Sequence, residues 1–244
     1  MMFRSMHVTF GAALTTLAMM ISPQVLAQHA DIEAVVIGGK LIVDEENAAP
    51  VAFGTGYKIF EGDFGDLPGG LTGTDDPGFL APSGTFLSGE QLWYHALGTL
   101  SFWNGTSWAV APSGIALTVE DILGSETLIS SLGATNPYGV IDQVDSAGGI
   151  HAHIDFSISN VNPVGAYLAT FELTSRDASG NLPSPYLDSD PFQIAFNRGL
   201  SHEAFEASIS ALVSPVPEPQ TYAMLLAGLA LCGAMARRRK EITG

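Results

Sequence analysis

Cysteine is almost absent from this chain of 244 residues. The single cysteine, Cys232, lies in an apolar run close to the C-terminus. The rest of the chain therefore has no disulfide, no thiol nucleophile and no cysteine ligand for a metal cluster. A transition-metal site outside this run has to be built from histidine and carboxylate side chains.

Positive charge is also scarce. The chain has nine Lys and Arg residues against 25 Asp and Glu, and five of the nine lie near the two ends. Residues 28–217 contain four basic and 23 acidic residues, a net charge of −19, compared with −16 for the whole chain. Such a surface repels phosphate backbones, which argues against any nucleic-acid partner, and it attracts cations.

The sequence signatures of common hydrolases are missing as well. The chain has no Gly-x-Ser-x-Gly nucleophile elbow and no His-Glu-x-x-His metalloprotease helix. Its carboxylates are so numerous that the spacing of any one acid pair says nothing for or against a glycosidase. We therefore expect a protein that is not an enzyme.

The N-terminus has the layout of a secretory signal peptide. Arg4 precedes an apolar stretch, Phe10–Ile21, and Val25-Leu26-Ala27 supplies small residues before a cleavage site. These features predict a signal-peptide helix over residues 1–27, with Gln28 as the first residue of the exported protein. A first transmembrane helix is the alternative.

The C-terminus contains a second apolar segment. A hinge, Val216-Pro217-Glu218-Pro219, precedes the apolar run Tyr222–Ala236, and the basic cluster Arg237-Arg238-Arg239-Lys240 follows it. The run is about 15 residues long, whereas a membrane-spanning helix needs about 20. The basic cluster would remain in the cytoplasm, with the rest of the chain on the other side. A plain tail anchor is one interpretation.

The order of hinge, apolar helix and basic cluster resembles the PEP-CTERM sorting signal of exopolysaccharide-producing Gram-negative bacteria. The resemblance implies recognition by an exosortase-type processing enzyme and transient insertion of the C-terminal helix into the inner membrane. Removal of that helix would release the protein to the cell surface or extracellular matrix. We accordingly divide the chain into a signal peptide (1–27), a single extracellular domain (28–214) and a sorting signal (215–244).

Short β-branched and aromatic runs between Gly, Pro, Asn and Asp clusters predict an all-β fold for this domain. We expect an antiparallel, jelly-roll-like sandwich with one C-terminal helix, His202–Ser214. We also expect one helical turn at Val119–Leu123 and a long ordered loop at Glu61–Gly89. Asn104-Gly105 predicts a two-residue hairpin turn that pairs Trp103 with Thr106. The predicted strands are Asp31–Ile37, Lys40–Val43, Tyr57–Phe60, Ala96–Trp103, Trp108–Val110, Ile115–Val119, Gly149–Ile158, Ala166–Ser175 and Phe192–Phe196.

Histidines alternate with other residues in two strand-like stretches. Alternation along a strand places His151, His153 and Asp155 on one face. In the same way His29 and Asp31, with the following Glu33, share a face. Two such ribbons side by side would provide His and carboxylate ligands for zinc or copper(II). The plain alternatives are exposed strand histidines and, for His29, a frayed terminus.

Other clusters have simpler interpretations. Four aspartates in a Gly-rich loop offer hard oxygen ligands for calcium, but their spacing matches no calcium-binding motif and Asp is an ordinary turn residue. We expect His95 to be hydrogen-bonded and half-buried, and His202 to be solvated at the start of the C-terminal helix. Trp93, Trp103 and Trp108 form either part of the core or a platform on which exopolysaccharide stacks. The four aspartates are Asp63, Asp66, Asp75 and Asp76.

Five stretches together resemble a narrower group of PEP-CTERM proteins, described as repressed by the zinc-uptake regulator. The resemblance implies expression under zinc scarcity and a zinc-linked role at the cell surface, but it implies no ligand set. The stretches are His29–Glu33, Asp76–Phe79, Ala96–Trp103, His151–Phe156 and Ser189–Phe192.

The leading hypothesis is an exported, surface-associated, non-enzymatic protein that binds zinc. The expected ligands are His29, His151 and His153, with Asp31 or Asp155. The alternatives are a matrix protein that binds polysaccharide through exposed tryptophans and a purely structural biofilm component.

Overall fold

The computed structural model describes residues 31–44, 48–68 and 70–213, so the predicted signal peptide and sorting signal lie outside the described residues. This part of the chain forms fifteen strands and one helix. No helix within it is both long and apolar enough to cross a membrane. The elements are β1 (Ile32–Ile37), β2 (Lys40–Val43), β3 (Lys58–Asp63), β4 (Gly73–Thr74), β5 (Phe79–Ala81), β6 (Gln91–Trp103), β7 (Trp108–Val110), β8 (Ala116–Glu120), β9 (Glu126–Ser130), β10 (Gly133–Thr135), β11 (Tyr138–Gln143), β12 (Ile150–Ala152), β13 (Asp155–Ile158), β14 (Gly165–Arg176), β15 (Phe192–Arg198) and α1 (His202–Val213).

The strands form three sheets in a sandwich-like arrangement, which confirms the predicted all-β class. The first sheet has the order β12-β5-β1-β2, the second β10-β9-β8-β13-β4, and the third β11-β6-β14-β15-β3 with β7 beside β6. The expectation of purely antiparallel pairing is wrong at two places, because β1 pairs with β5 and β15 pairs with β3 in parallel. In both cases a long crossover, rather than a hairpin, connects the two strands.

Apolar side chains from all three sheets share one core. Phe79 of the first sheet, Phe156 of the second and Phe171 of the third are each at most 2 % exposed within this cluster. Burial of one such side chain contributes about 1.5–3 kcal/mol. Strand β14 is buried on both faces, because Ala166 and Leu168 point to a second, smaller cluster under α1.

The helix α1 begins as its sequence predicts. The Ser201 Oγ accepts a hydrogen bond from the Ala204 amide, which caps the first turn. Phe205 and Ile209, four residues apart, are buried against the third sheet. The predicted last residue, Ser214, lies outside the described part of the chain.

Several predicted elements need correction. The stretch Val119–Leu123 is not helical: β8 continues to Glu120, and the Asp121 carboxylate then holds a turn by accepting amide hydrogen bonds from Leu123 and Ser125. The predicted loop Glu61–Gly89 contains the short strands β4 and β5. Strands β9, β10 and β11 are missing from the predicted strands; β10 and β11 are short runs that Gly133, Asn136-Pro137 and Gly139 interrupt or separate.

The hairpin between β6 and β7 also differs from the prediction. Trp103 pairs directly with Trp108, so the loop has four residues rather than two. The Asn104 Oδ1 accepts hydrogen bonds from the amides of Thr106 and Ser107. The asparagine side chain therefore bridges the wider turn, together with a main-chain hydrogen bond that the Asn104 amide donates to the Ser107 carbonyl.

Two buried tyrosines predict loss of stability in alkali. Burial raises the pKa of Tyr94 to about 12 and that of Tyr167 to about 12, against an ordinary value near 10. The folded state holds these protons more tightly, so stability is complete below about pH 10 and is lost as pH rises towards about 12. A tyrosinate absorbance titration should show at least two tyrosines that ionise only together with the loss of circular dichroism. Ionisation of every tyrosine before unfolding would contradict the buried assignment.

Candidate metal site

Strands β1 and β5 begin, and strand β12 ends, at the same end of the first sheet. Strand β5 lies between β1 and β12, with Phe79 opposite both Ile32 and Ala152. One residue beyond these partners, the register places Asp31, Gly78 and His153 side by side. Because side chains alternate along strands, this row points away from the buried face that Ile32 and Phe79 occupy.

Asp31, His151 and His153 form a group of three potential ligands. Each contributes one ligand atom, and these atoms all lie within 4.8 Å of one another. The His151 Nε2 is 3.1 Å from the Asp31 Oδ2, and the two imidazole ring centres are 5.5 Å apart. The His151 side chain is 65 % exposed and that of Asp31 26 %, so the group is open to solvent.

The lack of a side chain at Gly78 lets Asp31 and His153 lie close to each other. A Cβ atom at this position would lie 2.7 Å from the His153 Cε1 and 2.8 Å from the Asp31 Oδ1. The φ angle of Gly78 does not require glycine, so the reason is the lack of space. The Gly78 carbonyl also accepts a hydrogen bond of 2.8 Å from the Ile32 amide, which fixes Asp31 beside it.

A second group of potential ligands shares His153. Asp75, Asp76 and His153 also offer ligand atoms within 4.8 Å of one another. The His153 Nδ1 lies 2.9 Å from the main-chain oxygen of Asp75 and 3.6 Å from the Asp76 Oδ1. The interpretation of Asp75 and Asp76 as plain turn residues misses this contact, although Asp76–Phe79 is one of the stretches that resemble the zinc-regulated group.

Both groups lie where the chain crosses between two sheets. Residues 75–78 connect β4 of the second sheet to β5 of the first, and residues 153–154 connect β12 of the first sheet to β13 of the second. Because β4 pairs with β13 and β5 pairs with β12, the two connections run side by side. Asp75, Asp76 and His153 therefore lie in connections whose two ends are both held in paired strands.

The first group fits the coordination chemistry of zinc. Zinc binds imidazole nitrogen and carboxylate oxygen at about 2.0–2.2 Å, so neighbouring ligand atoms on one ion lie roughly 3–4 Å apart. The observed separations need only a small inward movement. Three ligands leave a fourth position for water or a further ligand, which a catalytic or exchangeable site has and a closed structural site lacks.

The predicted ligands have different outcomes. Asp31, His151 and His153 come together, whereas Asp155 belongs to neither group. The single predicted strand Gly149–Ile158 is in fact β12 and β13, so Asp155 lies on another sheet, opposite Glu120. It lines the same shallow depression as His153 without reaching the other ligands. His29 lies outside the described residues.

The other two histidines in the described part of the chain, His95 and His202, have partners away from the cluster. The His95 Nδ1 is 2.7 Å from the Glu172 Oε1, and its ring stacks on Tyr138 with ring centres 4.1 Å apart. His202 is exposed on α1, 4.0 Å from the Glu206 carboxylate.

The tryptophans do not form an open stacking platform. Trp103 is 7 % exposed in the cluster beneath α1, and the Trp108 Nε1 donates a hydrogen bond to the carbonyl of Ser208 in that helix. The Arg176 guanidinium lies 3.7 Å from the centre of the Trp93 ring and covers that face. The burial of Trp103 and the contact of Trp108 with the helix favour the interpretation of these two residues as part of the core, and polysaccharide binding stays a prediction.

Replacement of Gly78 tests the site without removing a ligand. The added methyl group of Gly78→Ala should push His153 and Asp31 apart, and affinity for a bound ion should fall about tenfold or more. Zinc titration of the variant and the parent measures this, with circular dichroism as a check on folding. Unchanged affinity in a folded variant would show that the ion does not bind between these residues.

The similarity of this chain to known proteins is confined to a family match at the C-terminus. Residues 215–240 match the family model of the PEP-CTERM protein-sorting motif. No curated protein and no solved structure matches the chain. The narrower likeness to zinc-regulated members therefore stays a prediction. The chain carries a PEP-CTERM sorting signal and is an exported protein that this signal marks as an exosortase substrate.

Proposed function

We propose that this exported protein is a non-enzymatic zinc-binding protein of the cell surface. The observation that carries the proposal is the convergence of Asp31, His151 and His153 across the Gly78 gap. Asp31 lies about 120 residues before His151 and His153 in the sequence, and Gly78, whose φ angle does not require glycine, leaves room for the three side chains. Nitrogen and oxygen ligands of this kind suit zinc, with copper(II) as the closest competitor.

The charge of the domain supports cation capture. Residues 28–217 carry a net charge of −19, which raises the local concentration of divalent cations at the surface. The region around the site adds Asp75, Asp76 and Asp155 to this field. An exposed site with three protein ligands and one open position suits capture and exchange better than permanent structural binding.

Three of the five stretches that resemble the zinc-regulated group meet at this site. The stretch His29–Glu33 contributes Asp31, the stretch Asp76–Phe79 contributes Asp76 and Gly78, and the stretch His151–Phe156 contributes His151 and His153. The likeness arose from the sequence, whereas the proximity arises from the fold. Their agreement supports a zinc-linked role for the cluster.

Calorimetric titration tests the proposal. Purified full-length protein in detergent, freed of metal by a chelator, should bind one zinc ion per chain, and the His151→Ala/His153→Ala variant should lose this binding. The matched control, His95→Ala/His202→Ala, also removes two imidazoles but leaves the cluster intact. Equal binding by the parent and the cluster variant would show that the site is misassigned.

A further arm asks whether His29 completes the site. If it supplies the fourth ligand, His29→Ala should weaken zinc binding without changing the stoichiometry. If the His29→Ala variant binds zinc as tightly as the parent protein, water or another group occupies the fourth position. Binding should also weaken below about pH 6, because only deprotonated imidazole binds a metal.

A further inference from the structure

We infer that Asp76 and the main-chain carbonyl of Asp75 position His153 for a metal ion, so that the two overlapping groups make one site. This inference rests on the proposed function. In it, Asp31, His151 and His153 bind the ion directly, and the Asp75–Asp76 pair acts only through the imidazole of His153. The alternative is that Asp75, Asp76 and His153 hold a second ion.

The hydrogen bond on His153 decides between these arrangements. A carbonyl oxygen only accepts, so the Nδ1 that lies 2.9 Å from the Asp75 oxygen must carry the proton. A neutral imidazole has one N–H group, and its other nitrogen, Nε2, is then free to bind metal. A second ion at Nδ1 would have to displace this proton while Nε2 remains bound, which requires an imidazolate.

The Asp76 carboxylate strengthens the same arrangement. Its Oδ1 lies 3.6 Å from the His153 Nδ1, close enough to favour electrostatically the proton that Nδ1 carries. A carboxylate or carbonyl behind a metal-binding histidine fixes the ring orientation and makes the ligand nitrogen more basic. Loss of such a partner typically lowers metal affinity by about 10- to 100-fold.

The turn that carries this pair is itself fixed. Thr74 is fully buried; its Oγ1 accepts a hydrogen bond from the Asp76 amide and donates one of 2.8 Å to the Asp66 Oδ2. On the other side, Gly62 of β3 lets the Asp76 carbonyl approach closely, because a Cβ there would collide with it. The acceptors for His153 are thus held by the fold before any ion binds.

The tautomer of His153 tests the inference directly. In metal-free protein above about pH 8, where an ordinary imidazole is neutral, long-range nitrogen–proton NMR correlations should place the proton on Nδ1. With zinc the Nδ1 proton should remain and Nε2 should take the shift of a metal-bound nitrogen. A proton on Nε2 in the metal-free protein, or zinc on Nδ1, would overturn the inference.

Affinity measurements provide the second test. Asp76→Asn should lower zinc affinity about tenfold or more while one ion still binds per chain. The control Asp155→Asn removes a carboxylate from the same depression but outside both groups, and it should change affinity much less. Equal losses in the two variants would reduce the effect of Asp76 to general electrostatics and contradict a positioning role.

The outcomes separate this inference from the proposed function. A parent protein that binds no zinc refutes the function, and the metal-bound arrangement of His153 is refuted with it. Zinc binding that occurs with two ions per chain, one of which Asp76→Asn removes, overturns the inference and leaves the function intact.

Discussion

The close approach of Asp31 and His153 over Gly78 is the constraint on which the candidate site depends. It exists because β5 lies between β1 and β12, and because β1 and β5 begin where β12 ends, at one end of the first sheet. This end of the sheet is held in place by its packing on the core, in which Ile32 and Phe79 are at most 2 % exposed. The positions of Asp31 and His153 are therefore set by the burial of the neighbouring residues Ile32 and Phe79.

The site also lies at a junction of the fold. Two adjacent connections pass there between the first and second sheets, one through Asp75–Gly78 and the other through His153–Ile154. An ion bound by Asp31, His151 and His153 would link the start of β1 to the end of β12. Any ion that binds only the folded state stabilises it, so zinc binding and folding are coupled in this arrangement.

Much of the fold and part of the site follow from local sequence. Alternation in His151-Ala152-His153 and in Asp31-Ile32-Glu33 correctly predicts that His151, His153 and Asp31 lie on one outward face, where their polar atoms come close together. That these residues bind a metal stays a prediction. Alternation fails for Asp155 because Ile150, Ile154, Phe156 and Ile158 all face the shared core, so the apolar alternation continues across the break between two sheets. The partnership of His153 with Asp75 and Asp76 spans about 78 residues and leaves no local pattern. Asn104-Gly105 illustrates a different limit, because the asparagine side chain selects a wider turn than the dipeptide alone predicts.

Anomalous X-ray diffraction at the zinc edge, from crystals of the protein grown with zinc, tests the central claim most directly. The account predicts one strong anomalous peak per chain, bonded to Asp31, His151 and the Nε2 of His153, at about 2.0–2.2 Å from each ligand atom. A peak between Asp75, Asp76 and the Nδ1 of His153, or no peak near Gly78, would contradict it.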